Sequence, residues 1–132
     1  MDPKQLRYAE THEWLYVDDS QGEPIATIGI SAYAVEALGD VTHMELPEPG
    51  ADFSSGDSFG EVESVKAVSD LYTPVELEIT EVNTKLPDNL NWLNDSPYDQ
   101  GWIVKGKLKD PSQVEQMMDF EAYQKLCDEE QH

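Results

Sequence analysis

Glu61-Val62-Glu63-Ser64-Val65-Lys66-Ala67-Val68-Ser69-Asp70-Leu71-Tyr72-Thr73-Pro74-Val75-Glu76-Leu77-Glu78-Ile79-Thr80-Glu81-Val82 is the stretch on which the fold turns. From Val75 onward every second residue is apolar, the mark of a strand with one buried face. Upstream the pattern is ambiguous, because Val62, Val65, Val68 and Leu71 recur every third residue, as a helix would use. The valine density, Gly60 before the run and Pro74 after it oppose a helix. The segment therefore reads as a hairpin, Phe59 to Val65 pairing with Val68 to Ile79, with Lys66 at its tip. No Asn-Gly or Asp-Gly marks that turn. Lys66 is the only Lys or Arg between Arg7 and Lys85. Such an amine is either an ordinary surface lysine or the address of a covalent attachment. A hairpin tip suits attachment, since it exposes the ε-amine on a rigid backbone that an acylating enzyme can read.

Working outward, Leu6 to Val17 reads as an opening strand region with His12, Glu13 and Trp14 inside it. Asp18-Asp19-Ser20-Gln21-Gly22 supplies turn chemistry, and Ile25 to Ile30 is the returning strand of a hairpin. Ser31 is an N-cap for a short helix, Ala32 to Leu38, with Gly39 at its C′ position. Val41 to Leu46 is a strand stopped by Pro47, Pro49 and Gly50. Residues 83–97 are loop-like. Gly101 to Leu108 is a last strand whose lysines make an exposed face and discourage edge pairing. Asp110 caps a helix with Pro111 at its first position and Gln113 three residues after the cap. Val114, Met117 and Met118 share one face, and Asp119 caps a further helical turn bearing Tyr123, Leu126 and Cys127. Short strands followed by terminal helices imply an antiparallel β sandwich or flattened barrel with helical additions.

The chain has 132 residues, 39% of them hydrophobic, which is enough for one domain with a modest core. Residues 1–132 form that domain, and 110–132 make a C-terminal helical extension packed on it. Asp and Glu number 28 against 8 Lys and Arg, for a formal charge of −20. Nucleic acid and anionic membranes are poor partners for such a surface. Cys127 is the only cysteine, which excludes an internal disulfide, a Cys-x-x-Cys pair and a thiolate zinc site. His12, His43 and His132 show no ligand spacing, so no metal is expected, and His43 reads as a half-exposed strand residue. No apolar run is long enough to span a bilayer, and Met1-Asp2-Pro3-Lys4 lacks a signal-peptide core. A cytoplasmic protein is expected; the alternative is the mitochondrial matrix after removal of a presequence.

Glu63-Ser64-Val65-Lys66-Ala67-Val68-Ser69-Asp70-Leu71-Tyr72-Thr73-Pro74 resembles the lipoyl-lysine segment of the glycine cleavage system H protein family. His12-Glu13-Trp14, Ile28-Gly29-Ile30-Ser31, Leu38-Gly39-Asp40 and Glu45-Leu46-Pro47-Glu48-Pro49-Gly50 follow in the family's order. So do Glu81-Val82-Asn83, Asn94-Asp95-Ser96-Pro97-Tyr98 and Gly101-Trp102-Ile103. The resemblance runs from about Arg7 to about Glu129. It implies a mainly β fold of the lipoyl-domain, hybrid barrel-sandwich type, with short helices. It also implies a carrier and not an enzyme: lipoate amide-linked to Lys66 by a lipoyl ligase or transferase, with Glu63, Ser64, Val65, Ala67 and Asp70 as the loop recognised for attachment.

The family's partners are a glycine decarboxylase that loads an aminomethyl group, an aminomethyltransferase that unloads it, and a dihydrolipoyl dehydrogenase that reoxidises the dithiol. The dithiol would belong to the cofactor, which accords with the single cysteine. The resemblance further implies a monomer whose arm docks in a surface cleft near Thr11, Glu13 and Asp70. Tyr33 stands where relatives often place histidine. Glu76-Leu77 stand in place of a small residue and glycine, a change that suggests longer strand pairing, and Thr42-His43-Met44 replace a more apolar stretch.

A lipoyl relay donating its group to other 2-oxoacid dehydrogenase complexes would use the same Lys66. From the residues alone, Glu13 and Asp70 read equally as solvated surface acids. Two readings without lipoate are a carboxylate enzyme and an acidic interaction module in which Lys66 stays free. No Ser-His-Asp set, phosphate loop or His-Glu-x-x-His pattern supports the former, and alternation alone explains Glu61/Glu63 and Glu76/Glu78.

Overall fold

The computed structural model describes residues 2–20 and 22–130. Gln21 of the first turn and His132 lie outside the described residues. Strands β1 (Arg7–Tyr8), β2 (Glu13–Asp18) and β3 (Ile25–Ile30) lead into helix α1 (Ala32–Leu38). Strands β4 (Val41–Glu45), β5 (Asp52–Phe53), β6 (Ser58–Ser64), β7 (Val68–Tyr72) and β8 (Leu77–Val82) follow. Helix α2 (Trp92–Asp95), strand β9 (Val104–Leu108), helix α3 (Ser112–Glu115) and helix α4 (Phe120–Glu130) complete the order. Two sheets result, one of order β1-β2-β3-β9-β8-β5 and one of order β4-β6-β7, and every pairing is antiparallel. Their inner faces meet in a core that includes Leu15, Ile28, Val62, Leu71, Leu77, Ile79 and Val104. Burying each such side chain is worth about 1.5–3 kcal/mol.

The opening segment is a hairpin and not one strand. Arg7 pairs with Leu15 and Tyr8 with Trp14, and the reversal passes through His12 at φ +76°. The Ala9 and His12 amides close that reversal on Glu13 O and Ala9 O. α1 spans the expected residues, its N-terminus capped by Ser31 Oγ, which accepts from Ala34 N, and its C-terminus ending at Gly39 with φ +79°. The expected pairing of Val68 to Ile79 with Phe59 to Val65 is interrupted: β7 stops at Tyr72, and β8 joins the other sheet. The break follows from Pro74, which has no N–H to give a ladder, and from Thr73, whose hydroxyl donates to Val75 O at 2.6 Å. Leu77 thus does not lengthen the β6–β7 pairing; it packs against Gly106 and Ile79 is buried beside it.

β9 is interior and not an edge, lying between β3 and β8. Its lysines do face outward, Lys107 reaching Glu23 at 3.3 Å and Lys105 reaching Glu81 at 3.9 Å. Residues 83–97 are less loop-like than expected, since they contain a 3-10 turn (Leu86–Asp88) and α2. Helix α3 begins one residue later than the Pro111 position, with Pro111 as its cap residue; Asp110 Oδ1 accepts from Ser112 N at 3.1 Å. Gln113 does not close a capping box but accepts from Glu76 N through its side chain at 2.7 Å. Val114 and Met117 pack on the main core, whereas Met118 joins a second cluster formed by Leu6, Tyr8, Trp14, Tyr123 and Cys127. Asp119 caps α4 as expected, accepting from Ala122 N at 2.9 Å. His43 is exposed, 4.0 Å from Glu45. No helix among the described residues is long and apolar enough to cross a membrane.

Trp14 ties the second cluster to the large sheet: its Nε1 donates to Pro97 O at 3.0 Å, and its ring lies on Gly29. A Cβ at Gly29 would sit 2.6 Å from that ring. Gly29→Ala is therefore expected to lower the unfolding free energy by about 1–3 kcal/mol through overpacking, read as a shift in the urea midpoint at constant slope.

Candidate functional site

The β6–β7 hairpin places Lys66 by a turn whose chemistry resides in Ser64. Glu63 pairs with Val68, closing the ladder one residue before the turn. Ser64 N donates to Ala67 O at 2.8 Å, and the Ser64 hydroxyl accepts from the amides of Lys66 and Ala67, each at 3.2 Å. A serine hydroxyl bonding to nearby amides is a turn device in its own right. The tip is also fastened sideways, since Val65 N donates to Asp40 O at 3.1 Å in the connection between α1 and β4. Lys66 is exposed. Its stem runs over Gly39: a Cβ built there would lie 3.5 Å from Lys66 Cε and 3.7 Å from Nζ. Gly39 adopts the positive φ that ends α1, a conformation that favours glycine.

A cleft of about 400 Å³ opens beside the tip, between α1 and the strand ends. Of the residues expected at the site, Thr11, Glu13, Tyr33, Ala67 and Asp70 line it. Ser64 and Val65 belong to the turn instead, and Glu63 projects outward from β6. Apolar walls come from Ile30, Leu38, Val62 and Leu71.

Glu13 is not a solvated acid. It is 2% exposed, accepts from the Thr11 hydroxyl at 2.5 Å, and is hydrogen-bonded to the Tyr72 backbone. Burial outweighs both bonds and pushes its carboxyl up to about 8. Asp70, by contrast, is exposed at the rim, within reach of the Tyr72 hydroxyl at 3.3 Å. Tyr33 faces His12, ring to ring at 5.1 Å.

His12 and Glu130 were not foreseen as cleft residues. His12 Nε2 lies 2.8 Å from Glu130 Oε2, and Nδ1 lies 2.8 Å from the Tyr123 hydroxyl. That hydroxyl in turn is 2.5 Å from Ser31 Oγ, the cap of α1. Tyr123 stacks on Tyr8 at 4.3 Å, so α4 is bonded to the α1 side of the cleft and packed on the N-terminal hairpin. In the sequence the only trace of this is that Tyr123 and Cys127 recur at helical spacing on a buried face. Among the described residues, no three of His, Cys, Asp and Glu gather to hold a metal ion.

The family model of the glycine cleavage H-protein matches residues 6–130. The chain is 58% identical over 128 residues to the glycine cleavage system H protein of Rhodopirellula baltica, covering 97% of this chain and 96% of that one. It is 46% identical over 127 residues to the mitochondrial glycine cleavage system H protein 2 of Arabidopsis thaliana, covering 96% and 79%. The crystal structure of a glycine cleavage system H protein from Mycobacterium marinum superposes with a TM-score of 0.82 at 36% identity, covering 92% of this chain and 95% of that chain. With this architecture the fold is the lipoyl-domain barrel-sandwich type. By sequence and by fold, the chain belongs to the glycine cleavage H-protein family.

Proposed function

We propose that this chain is the lipoyl-bearing carrier of the glycine cleavage system. It conveys the aminomethyl group from glycine decarboxylase to aminomethyltransferase, and reducing equivalents to dihydrolipoyl dehydrogenase, with no catalysis of its own. Lipoate is amide-linked to Lys66 by a lipoyl ligase or transferase, and the whole chain acts as one monomeric cytoplasmic carrier unit. One observation carries the reading: an exposed lysine at the tip of a fastened hairpin, its stem laid over Gly39 beside a cleft with a buried carboxyl. When bound, lipoate supplies a redox-active disulfide that a chain with one buried cysteine cannot form itself.

The residues present fit such a group. Ser64 and the Asp40 carbonyl hold the tip, so the backbone that carries the amine is fixed. The apolar walls offer a surface for the arm and what it carries into the cleft. Glu13 and Asp70 provide carboxyls for a cationic cargo, a charge-assisted contact stronger than a neutral one. An ammonium beside Glu13 favours the ionised carboxylate, so docking of a cation and loss of the Glu13 proton reinforce each other. A tethered group also stays at high effective concentration for successive enzymes.

Incubation with lipoate, ATP and a lipoyl ligase is expected to add one lipoyl increment to the intact mass, mapped to Lys66. Lys66→Arg should gain none and should support no glycine-dependent carbon dioxide exchange with glycine decarboxylase, while melting like the wild type. A wild-type chain that stays unmodified, or is modified elsewhere, overturns the proposal. Modified protein that supports no exchange would instead indicate a pure lipoyl relay.

Glu13 gives a second expectation. Its carboxyl titrates at about 8 in the folded chain and at about 4.3 in an unfolded one. Between those values the folded chain keeps a proton the unfolded chain has lost, so this group's contribution to stability declines as pH rises. Glu13→Gln removes that decline. The variant's stability relative to wild type is expected to improve steadily from about pH 5 to about pH 8, measured by urea unfolding at several pH values; a constant difference would show the carboxyl ionised throughout.

A further inference from the structure

His12 joins three walls of the cleft. Its amide donates to Ala9 O at 3.0 Å and its carbonyl accepts from Ser31 N at 2.9 Å. The backbone thus ties the reversal that carries Thr11 and Glu13 to the start of α1. The imidazole extends the tie to α4, with Nδ1 2.8 Å from the Tyr123 hydroxyl and Nε2 2.8 Å from Glu130 Oε2. Among the described residues His12 is also the one non-glycine residue with positive φ, at +76°. Side chains adopt that conformation rarely; where they do, the surroundings hold them there, often at a functional site.

The hydroxyls set the order of donors. Ser31 Oγ already accepts from Ala34 N, so its own proton goes to the Tyr123 hydroxyl, 2.5 Å away. The Tyr123 hydroxyl then donates to Nδ1, and the imidazole proton on Nε2 faces the Glu130 carboxylate. The opposite order would leave the Ser31 hydroxyl, which is fully buried, with no acceptor in the row. Each bond polarises the next, and removing one member strands buried partners. The stack of Tyr123 on Tyr8 packs α4 against the N-terminal hairpin without these bonds. What the row adds is a link from α4 to the cleft.

We propose that His12 is a positioning residue for the carried group: by fastening α4 and α1 to the Thr11–Glu13 reversal, it holds the cleft walls at the separation that retains a loaded arm. The inference rests on the carrier reading above. His12 acts through the placement of Thr11, Glu13 and Glu130, and not on the reacting atoms. Retention matters because an aminomethyl group on sulfur is lost to water. One water supplies the oxygen of formaldehyde, the C–S and C–N bonds break, and the sulfur and nitrogen leave as thiol and ammonium, with no electrons exchanged.

Three substitutions cut the row at different points. Tyr123→Phe keeps the ring stack and removes the hydroxyl. His12→Asn tolerates positive φ but is too short to reach both partners. Glu130→Ala acts at an exposed position near the end of α4. The lipoylated chain is loaded with glycine and glycine decarboxylase, freed of that enzyme, and followed by formaldehyde release. Y123F and H12N are each expected to release it about tenfold faster than wild type, and E130A about threefold faster. H12N/Y123F should be no faster than the faster single variant, because both substitutions sever one row. Without lipoate, hydrogen exchange at the His12 and Ser31 amides should quicken about tenfold in Y123F while β8 and β9 amides keep wild-type rates. General loosening of the fold would move all of them. Glu129→Ala, exposed beside Glu130, should change neither rate. If Y123F does not fold, E130A decides by the same two measurements. Variants that retain the group as long as wild type, or a double variant whose effects multiply, overturn this inference and leave the carrier reading intact. A wild type that accepts no aminomethyl group overturns both.

Discussion

Everything distinctive about this molecule hangs on the closure of the β6–β7 hairpin by a single hydroxyl. Ser64 Oγ takes the amides of Lys66 and Ala67 while its own amide reaches Ala67 O. A turn without glycine would leave those donors to solvent and let the tip fray. Val65 N on Asp40 O then ties the tip to the end of α1, where the lysine stem lies against Gly39. The three-stranded sheet, the helix end and the lysine form one unit, and the amine stands at its exposed corner.

The cleft beside that corner is built on a second constraint, the burial of Glu13. A carboxyl so placed is held neutral near pH 7 because desolvation exceeds what Thr11 and Tyr72 return. A surface with a formal charge of −20 needs no further negative charge to attract cations from afar. A buried acid adds a contact that strengthens only when a cation is seated against it. The two walls of the cleft are tied to α4 through Glu130, His12, Tyr123 and Ser31, a chain of contacts of 2.5–2.8 Å. The helical extension is thereby part of the cleft and not an appendage to it.

Much of the architecture is legible from residue pattern because it depends on local rules. Ser31 and Gly39 bound α1, Asp119 caps α4, and the alternation from Leu77 to Val82 marks a half-buried strand. Local pattern misleads where it continues across a tertiary break. Val75 to Ile79 alternate as a continuation of the hairpin strand would, yet Thr73 and Pro74 send the chain to the other sheet. The lysines of β9 suggested an edge, but their outward face says nothing of the neighbours on either side.

The chain's own order of residues determined the lone lysine among acids, the strand periods, the caps and the family to which it belongs. Burial of Glu13, the left-handed backbone of His12, and the meeting of Lys66 with Gly39 were decided only when the sheets packed. The reason is range. Caps and alternation arise from neighbours along the chain, whereas desolvation of a carboxyl and the space above a glycine depend on segments far apart in sequence.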